Sequence, residues 1–297
     1  MQTNSMNAGC IGILAKQLLN HPGHGKVMGI TSGGIFVKTA GERILFITSQ
    51  ITPGPITISV KILPHEKNPL IHGALVEYSS KILSIPVMHL SIDLRQAEVW
   101  FPPLRPKVLK TIRERNSHLS AIIQGLIKSG RKATYLSSLK EIISAGSKTI
   151  KMRSGIANQM KDWRTLQGAM NDLDVIEVGK VLKSFLGNGP GLTPAGDDFV
   201  WGFLLILNRW QDVLCPGLDV KSLNKMITKA AEKHTTSLSL TIIEAATRGW
   251  ADARMMEVMD SLFALGLSAR ECVDHILAYG STSGMDALAG MVVGGKF

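Results

Sequence analysis

The chain has 297 residues, 45% of them hydrophobic and 19% charged, which excludes an intrinsically disordered protein and supplies enough apolar material for one large or two medium cores. The longest apolar runs, such as residues 199–207, reach only about half of the ~20 residues a membrane-spanning helix needs, and the polar N-terminus lacks the apolar core of a signal peptide. A cytoplasmic location without a membrane partner is therefore expected. The formal net charge is +10, and residues 106–165, with 13 basic and 3 acidic side chains, account for all of it. Such a surface attracts nucleic acid, an acidic partner subunit or phosphorylated metabolites.

The first third reads as β-rich. Residues 29–48 run GITSGGIFVKTAGERILFIT, in which short β-branched and aromatic stretches are broken by Gly33-Gly34 and Ala40-Gly41, as in hairpins. Residues 56–63 alternate through Ile56, Ile58, Val60 and Ile62, and residues 87–94 and 98–101 add further strand candidates. His21 and His24, in His-Pro-Gly-His, have no third histidine at a useful spacing and are read as loop residues rather than metal ligands. Cys10, Cys215 and Cys272 are odd in number, far apart and without a C-x-x-C pair, so they imply neither a disulfide framework nor a zinc site.

Pro102, Pro103 and Pro106 suit neither a helix interior nor a central strand and mark a boundary. Beyond it the periodicity becomes helical, with Leu119, Ile122, Ile123 and Leu126, then Leu136, Leu139, Ile142 and Ile143. The expected class is α+β: a β-rich barrel or sandwich over 1–105, followed by a mostly α-helical domain over 106–297.

Two stretches of the helical half share the pattern G-x-T-[PS]-x-x-D: GLTPAGD at 191–197 and GSTSGMD at 280–286. Threonine is a good N-cap, and proline or serine is well tolerated at the first helical position, so Thr193 and Thr282 are expected to open helices, with Pro194 and Ser283 next. Asp197 and Asp286 then lie four residues past their caps, near the positive end of the helix dipole, and Asp198 adds a second acid to the first copy. Gly187, Gly189, Gly191 and Gly280 let backbone approach a ligand, and free amides at such a start bind phosphate or carboxylate. Capping threonines and first-turn acids are also ordinary devices for starting a helix, and Gly196, Gly202, Gly284 and Gly290 serve helix packing equally well. The recurrence of the pattern favours a site.

A third polar stretch, HTTSLS at 234–239, also looks like a helix start. The hydroxyls of Thr235, Thr236 and Ser239 suit ligand oxygens, though capping uses the same groups, and the imidazole of His234 is of a kind that suits a general acid or base.

The segments GPGLTPAGDDFVWGFLL (189–205), HTTSLSLTIIEAATRG (234–249) and GSTSGMDALAGMVVG (280–294) resemble the hallmark segments of a bacterial domain-of-unknown-function family. That family includes the AllH-type subunit of oxamate carbamoyltransferase from anaerobic allantoin breakdown, and the resemblance is clearest over 187–297. It implies a subunit that works with other proteins to exchange a carbamoyl group between oxalurate, or a related ureido acid, and phosphate, giving carbamoyl phosphate and oxamate. Under that reading the amides of residues 191–195 serve the oxyanion or the phosphate. Asp197, Asp198 and Asp286 orient an amide N–H or hold a cation, because a carboxylate repels an anion unless a cation or a nearby Lys or Arg intervenes.

Two other classes remain open on the residues alone. Asp197, Asp198 and Asp286 with threonine hydroxyls suit Mg²⁺, the one cofactor considered, in a hydrolase. Alternatively, the basic stretch 106–165 serves as a docking face or binds nucleic acid; with only Tyr135 and Trp163 as aromatics it is poorly equipped for base stacking, so a partner subunit is preferred.

Overall fold

The structure is a computed structural model that describes residues 4–50, 52–61, 71–107, 109–135, 138–139 and 154–295, with the backbone alone at 154–158 and 160. The chain divides into two compact units, Met1–Pro103 and Leu104–Phe297.

The first unit holds strands β1 (Asn4–Gly12), β2 (Gly23–Thr31), β3 (Gly34–Thr39), β4 (Ile44–Thr48), β5 (Thr57–Val60), β6 (Leu75–Tyr78), β7 (Ile82–Ile85), β8 (Leu90–Asp93) and β9 (Glu98–Trp100), with helix α1 (Ile13–Leu18) after β1. Their order is β5-β4-β3-β2-β6-β7-β8-β1, and β1 returns to β5, so eight strands close into a barrel and no sheet edge remains between the first and last. Strand β1 is long enough to take β8 along Asn4–Asn7 and the extra strand β9 along Cys10–Gly12, both parallel to it. Alternate side chains turn inward: Ile35 and Val37 of β3, Leu83 and Ile85 of β7, and Leu90 and Ile92 of β8 are all buried. Of the two β architectures expected, the barrel is the one formed.

The hairpins expected in 29–48 are β2, β3 and β4. His24 lies within β2 rather than in a loop. The strand expected from residue 87 begins only at Leu90, because Pro86 opens a 3-10 turn through Met88 and His89 takes a left-handed φ of 48°. Residues 62–63, the end of another expected strand, lie outside the described residues, and Phe101 is not part of β9. Strands β1, β6 and β7 were not anticipated. β1 reads NSMNAGCIG, without alternation, and its strand conformation comes from the partners on both its edges.

The second unit is helical: α2 (Ile112–Lys128), α3 (Ser154–Asn171), α4 (Val175–Phe185), α5 (Ala195–Leu214), α6 (Val220–His234), α7 (Ser237–Ala246), α8 (Ala253–Phe263), α9 (Ala269–Ala278) and α10 (Ser283–Gly294). The expected stripe Leu119, Ile122, Ile123 and Leu126 is the buried face of α2. Leu139 is buried, whereas Leu136, Ile142 and Ile143 fall outside the described residues. Helix α5 is buried on every face from Phe199 to Leu207, as its uniformly apolar sequence there requires of a central helix, and the burial extends back over Asp197 and Asp198 to Ala195. Phe199 stacks on Phe185 at 4.6 Å and on Trp163 at 5.8 Å, an aromatic wall beside the first turn of α5.

Near its other end Arg209 forms a bidentate pair with Asp260 of α8, at 2.7 and 2.6 Å, and both side chains are almost buried. Asp260→Ala leaves the guanidinium without this carboxylate and is expected to cost on the order of 3 kcal/mol. In urea denaturation the midpoint should fall at unchanged slope; a loss under about 1 kcal/mol would show the pair to be dispensable.

Candidate functional site

Helices α5 and α10 run side by side in the same direction, with their starts together. What lets them approach is a reciprocal pair of glycines. A Cβ on Gly202 would lie 1.9 Å from the carbonyl oxygen of Ala287, and a Cβ on Gly290 would lie 1.9 Å from that of Phe199. Gly202 and Gly290 are 88 residues apart, and so are Phe199 and Ala287, the helix starts Ala195 and Ser283, and Asp198 and Asp286. The repeat is therefore built in a register of 88, and its shared pattern is G-x-D-x-x-x-G from Gly196 and Gly284. The register expected from the threonines, 89, is corrected: Asp198, not Asp197, is the counterpart of Asp286.

The capping expectation is corrected as well. The N-cap of α5 is Pro194, not Thr193, and Thr282, at the N-cap of α10, makes no side-chain capping bond. The hydroxyls work across the helix pair instead. Thr193 Oγ1 lies 3.0 Å from Ser283 Oγ, and both hydroxyls reach the carboxyl of Asp198. Asp286 accepts from the backbone N–H of Tyr135 on Oδ1 at 3.0 Å, with the Thr134 N–H and the Thr282 hydroxyl also directed to its carboxyl. Asp197 faces the third polar segment: it accepts from the Gly187 N–H at 2.7 Å, from the Thr235 hydroxyl and from Ser239.

All three aspartates are buried, at 2%, 4% and 0% exposure for Asp197, Asp198 and Asp286, and this decides their electrostatics. Burial raises every one of their pKa values. Asp197 is partly relieved by its three donors. Asp198 is pushed to about 8, with repulsion from Asp286 and Asp197 adding to desolvation, and Asp286 to about 6. At neutral pH Asp198 is thus a neutral carboxylic acid, able to donate as well as accept. One oxygen of each member of this pair, Asp198 Oδ2 and Asp286 Oδ2, is buried and has no hydrogen-bond partner among the described residues.

Above these acids the surface is polar and partly open. Thr193, Thr235, Thr236, Thr282 and Ser283 are half-buried, and Gly187, Gly189, Gly191 and Gly280 are exposed. These glycines hold φ values of 76°, 121°, 102° and 69°, a region other residues avoid. Thr236 caps α7 through the Ser239 N–H at 3.1 Å and donates to the Leu192 carbonyl at 2.7 Å, which ties the third polar segment to the first turn. His234 ends α6 with an exposed side chain, and its carbonyl packs against Gly187. The structure therefore brings all three polar segments to one place.

The first-turn amides are less free than the sequence suggests. Gly196 N–H donates to the Asn188 carbonyl at 2.9 Å and Gly284 N–H to that of Tyr279 at 3.1 Å. Sequence reasoning also missed Thr134 and Tyr135, which act through backbone amides and so leave no side-chain signature. Among the described residues no group of three or more His, Cys, Asp and Glu is placed to hold a metal ion, so nothing supports the Mg²⁺ reading of the aspartates. Among the described residues no helix is long and apolar enough to cross a membrane, and Cys10, Cys215 and Cys272 are free thiols.

No solved structure matches the chain significantly. Residues 185–295, which contain all three polar segments and both glycine-linked helices, match the family model described as oxamate carbamoyltransferase subunit AllH.

Proposed function

We propose that the paired starts of α5 and α10 form the small-molecule site of a carbamoyl-transfer enzyme, in which this chain works with other protein subunits. The observation that carries the reading is the placement of Asp198 and Asp286, each with one buried oxygen lacking a partner among the described residues, beneath the Thr193–Ser283 contact that joins the two helices. The buried Asp286 oxygen calls for an N–H donor, which a carbamoyl or amide NH₂ supplies, and the protonated Asp198 carboxyl has an O–H to give.

The chemistry follows from the protonation states. In the direction that consumes a ureido acid, a phosphate oxygen attacks the carbamoyl carbon and the C–N bond to the departing oxamate nitrogen breaks. That nitrogen needs a proton as it leaves. Asp198, neutral at pH 7, donates it, and the proton of the attacking hydrogen phosphate restores the carboxyl. Asp286 orients the NH₂ group, Asp197 fixes the glycine loop through Gly187, and the exposed amides of Gly191 and Leu192 face the developing oxyanion.

A thermal-shift screen of the full chain with carbamoyl phosphate, oxalurate, oxamate, phosphate and nucleotides tests the reading. Carbamoyl phosphate and oxamate are expected to raise the melting temperature of the wild type and to lose that effect in Asp286→Asn. Stabilisation by nucleotides alone would sink it.

A further inference from the structure

An anion brought to this site meets buried carboxyl groups, and two of the amides best placed to bind it, those of Gly196 and Gly284, already serve Asn188 and Tyr279. Positive charge has to come from elsewhere. The nearest basic segment is the one whose backbone amides reach Asp286.

After α2 ends at Lys128, residues 129–135 run Ser-Gly-Arg-Lys-Ala-Thr-Tyr and arrive with the amides of Thr134 and Tyr135 on Asp286. Two cations stand immediately before those amides. Arg131 donates from its guanidinium to the carbonyl of Leu277 at 2.6 Å, in the last turn of α9. That turn abuts the start of α10, because a Cβ on Gly284 would lie 2.3 Å from the neighbouring carbonyl of Ile276. Arg131 is thereby fixed beside the Gly280 turn. Lys132, two residues from Thr134, is exposed and makes no hydrogen bond or ion pair among the described residues. At the same helix starts one oxygen each of Asp198 and Asp286, side chains more than nine-tenths buried, has no hydrogen-bond partner among the described residues.

We propose that residues 129–135 form the cationic wall of the site, with Lys132, assisted by Arg131, binding the oxyanion of the ligand while Asp286 accepts from its N–H groups. The proposal rests on the carbamoyl-transfer reading and adds to it a division of labour. A ligand bearing an amide at one end and a phosphate or carboxylate at the other satisfies both halves of the site at once. It also gives two of the thirteen basic residues of the 106–165 stretch a function other than docking.

The test is calorimetric titration of the full chain with inorganic phosphate, carbamoyl phosphate and oxamate at low and moderate salt. Lys132→Met is expected to weaken binding about tenfold and to flatten its salt dependence, Lys132→Arg to retain it, and Lys128→Met, one turn of chain away on α2, to leave it unchanged. Loss for phosphate but not oxamate assigns the wall to the phosphate, and the converse assigns it to the carboxylate. Wild-type binding that survives both Lys132→Met and Arg131→Met overturns the cationic wall and leaves the carbamoyl-transfer reading standing. A wild type that binds none of the three overturns that reading and the wall with it.

Discussion

Asp198→Asn is expected to make the protein more stable at pH 8, by on the order of 3 kcal/mol, while abolishing the carbamoyl transfer proposed above. The physical cause is the environment of this carboxyl. It is buried, is repelled by Asp286 and Asp197, and its pKa stands at about 8 against an ordinary value of 3.8. The folded state consequently holds a proton that the unfolded chain has released. Asp198 contributes its full share to stability below pH ~4, and that share is lost progressively as pH rises through 8. Asp286, at about 6, adds a smaller loss between pH ~4 and 6. Asparagine is near in shape, keeps an oxygen for Thr193 and Ser283, and carries no charge. Urea denaturation of both proteins from pH 5 to 8 reads the effect directly, as a stability difference that widens with pH. A difference that stays flat would show that Asp198 is already ionised in the folded state and could not serve as the proton donor.

Gly290→Ala is expected to destabilise by about 3 kcal/mol or more, against the ordinary preference of a helix for alanine over glycine by ~1 kcal/mol. The added methyl would meet the Phe199 carbonyl oxygen at 1.9 Å, and this is backbone against backbone, with no flexible side chain to give way. Gly202→Ala meets Ala287 in the same manner, so the two variants should be similarly damaged. Gly168 in α3, with nothing within 4 Å of its Cβ position, provides the contrast: Gly168→Ala should be neutral or stabilising. Thermal melts of the three variants decide the matter, and a tolerated Gly290→Ala would mean that α5 and α10 pack less closely than described. Because that packing brings Asp198 and Asp286 together, both glycine variants should also impair the proposed ligand binding at temperatures where they remain folded.

What the sequence made legible, and what it did not, follows from the range over which each signal acts. The stripe of α2, the all-round burial of α5 and the hairpins β2–β4 are local periodicities, and all could be read. The helix starts were legible as a recurrence, but aligning on threonine gave the wrong register, since Thr193 precedes the N-cap whereas Thr282 occupies it. Aligning on the glycines of G-x-D-x-x-x-G finds the register of 88, because those residues are constrained by contact between the two helices. The arrival of Thr134 and Tyr135 at Asp286, 151 residues on from Tyr135, has no local signature: any residue type but proline supplies an amide. The barrel's closure was hidden for a similar reason, since β1 carries little strand preference of its own.

That closure bears on how the molecule is made. The strand synthesised first, β1, must pair along one edge with β8 and β9, whose residues leave the ribosome some ninety positions later. At roughly 5–20 residues per second, a nascent β1 waits on the order of 5–20 s with the backbone of that edge bare, although β5 is made sooner and can cover the other. Its asparagines, serine and glycines, poor material for a strand, make it an unattractive template for other chains during that interval. Changing them to valine or isoleucine would strengthen the finished barrel on paper and, in a growing polypeptide, invite aggregation before the ring could shut.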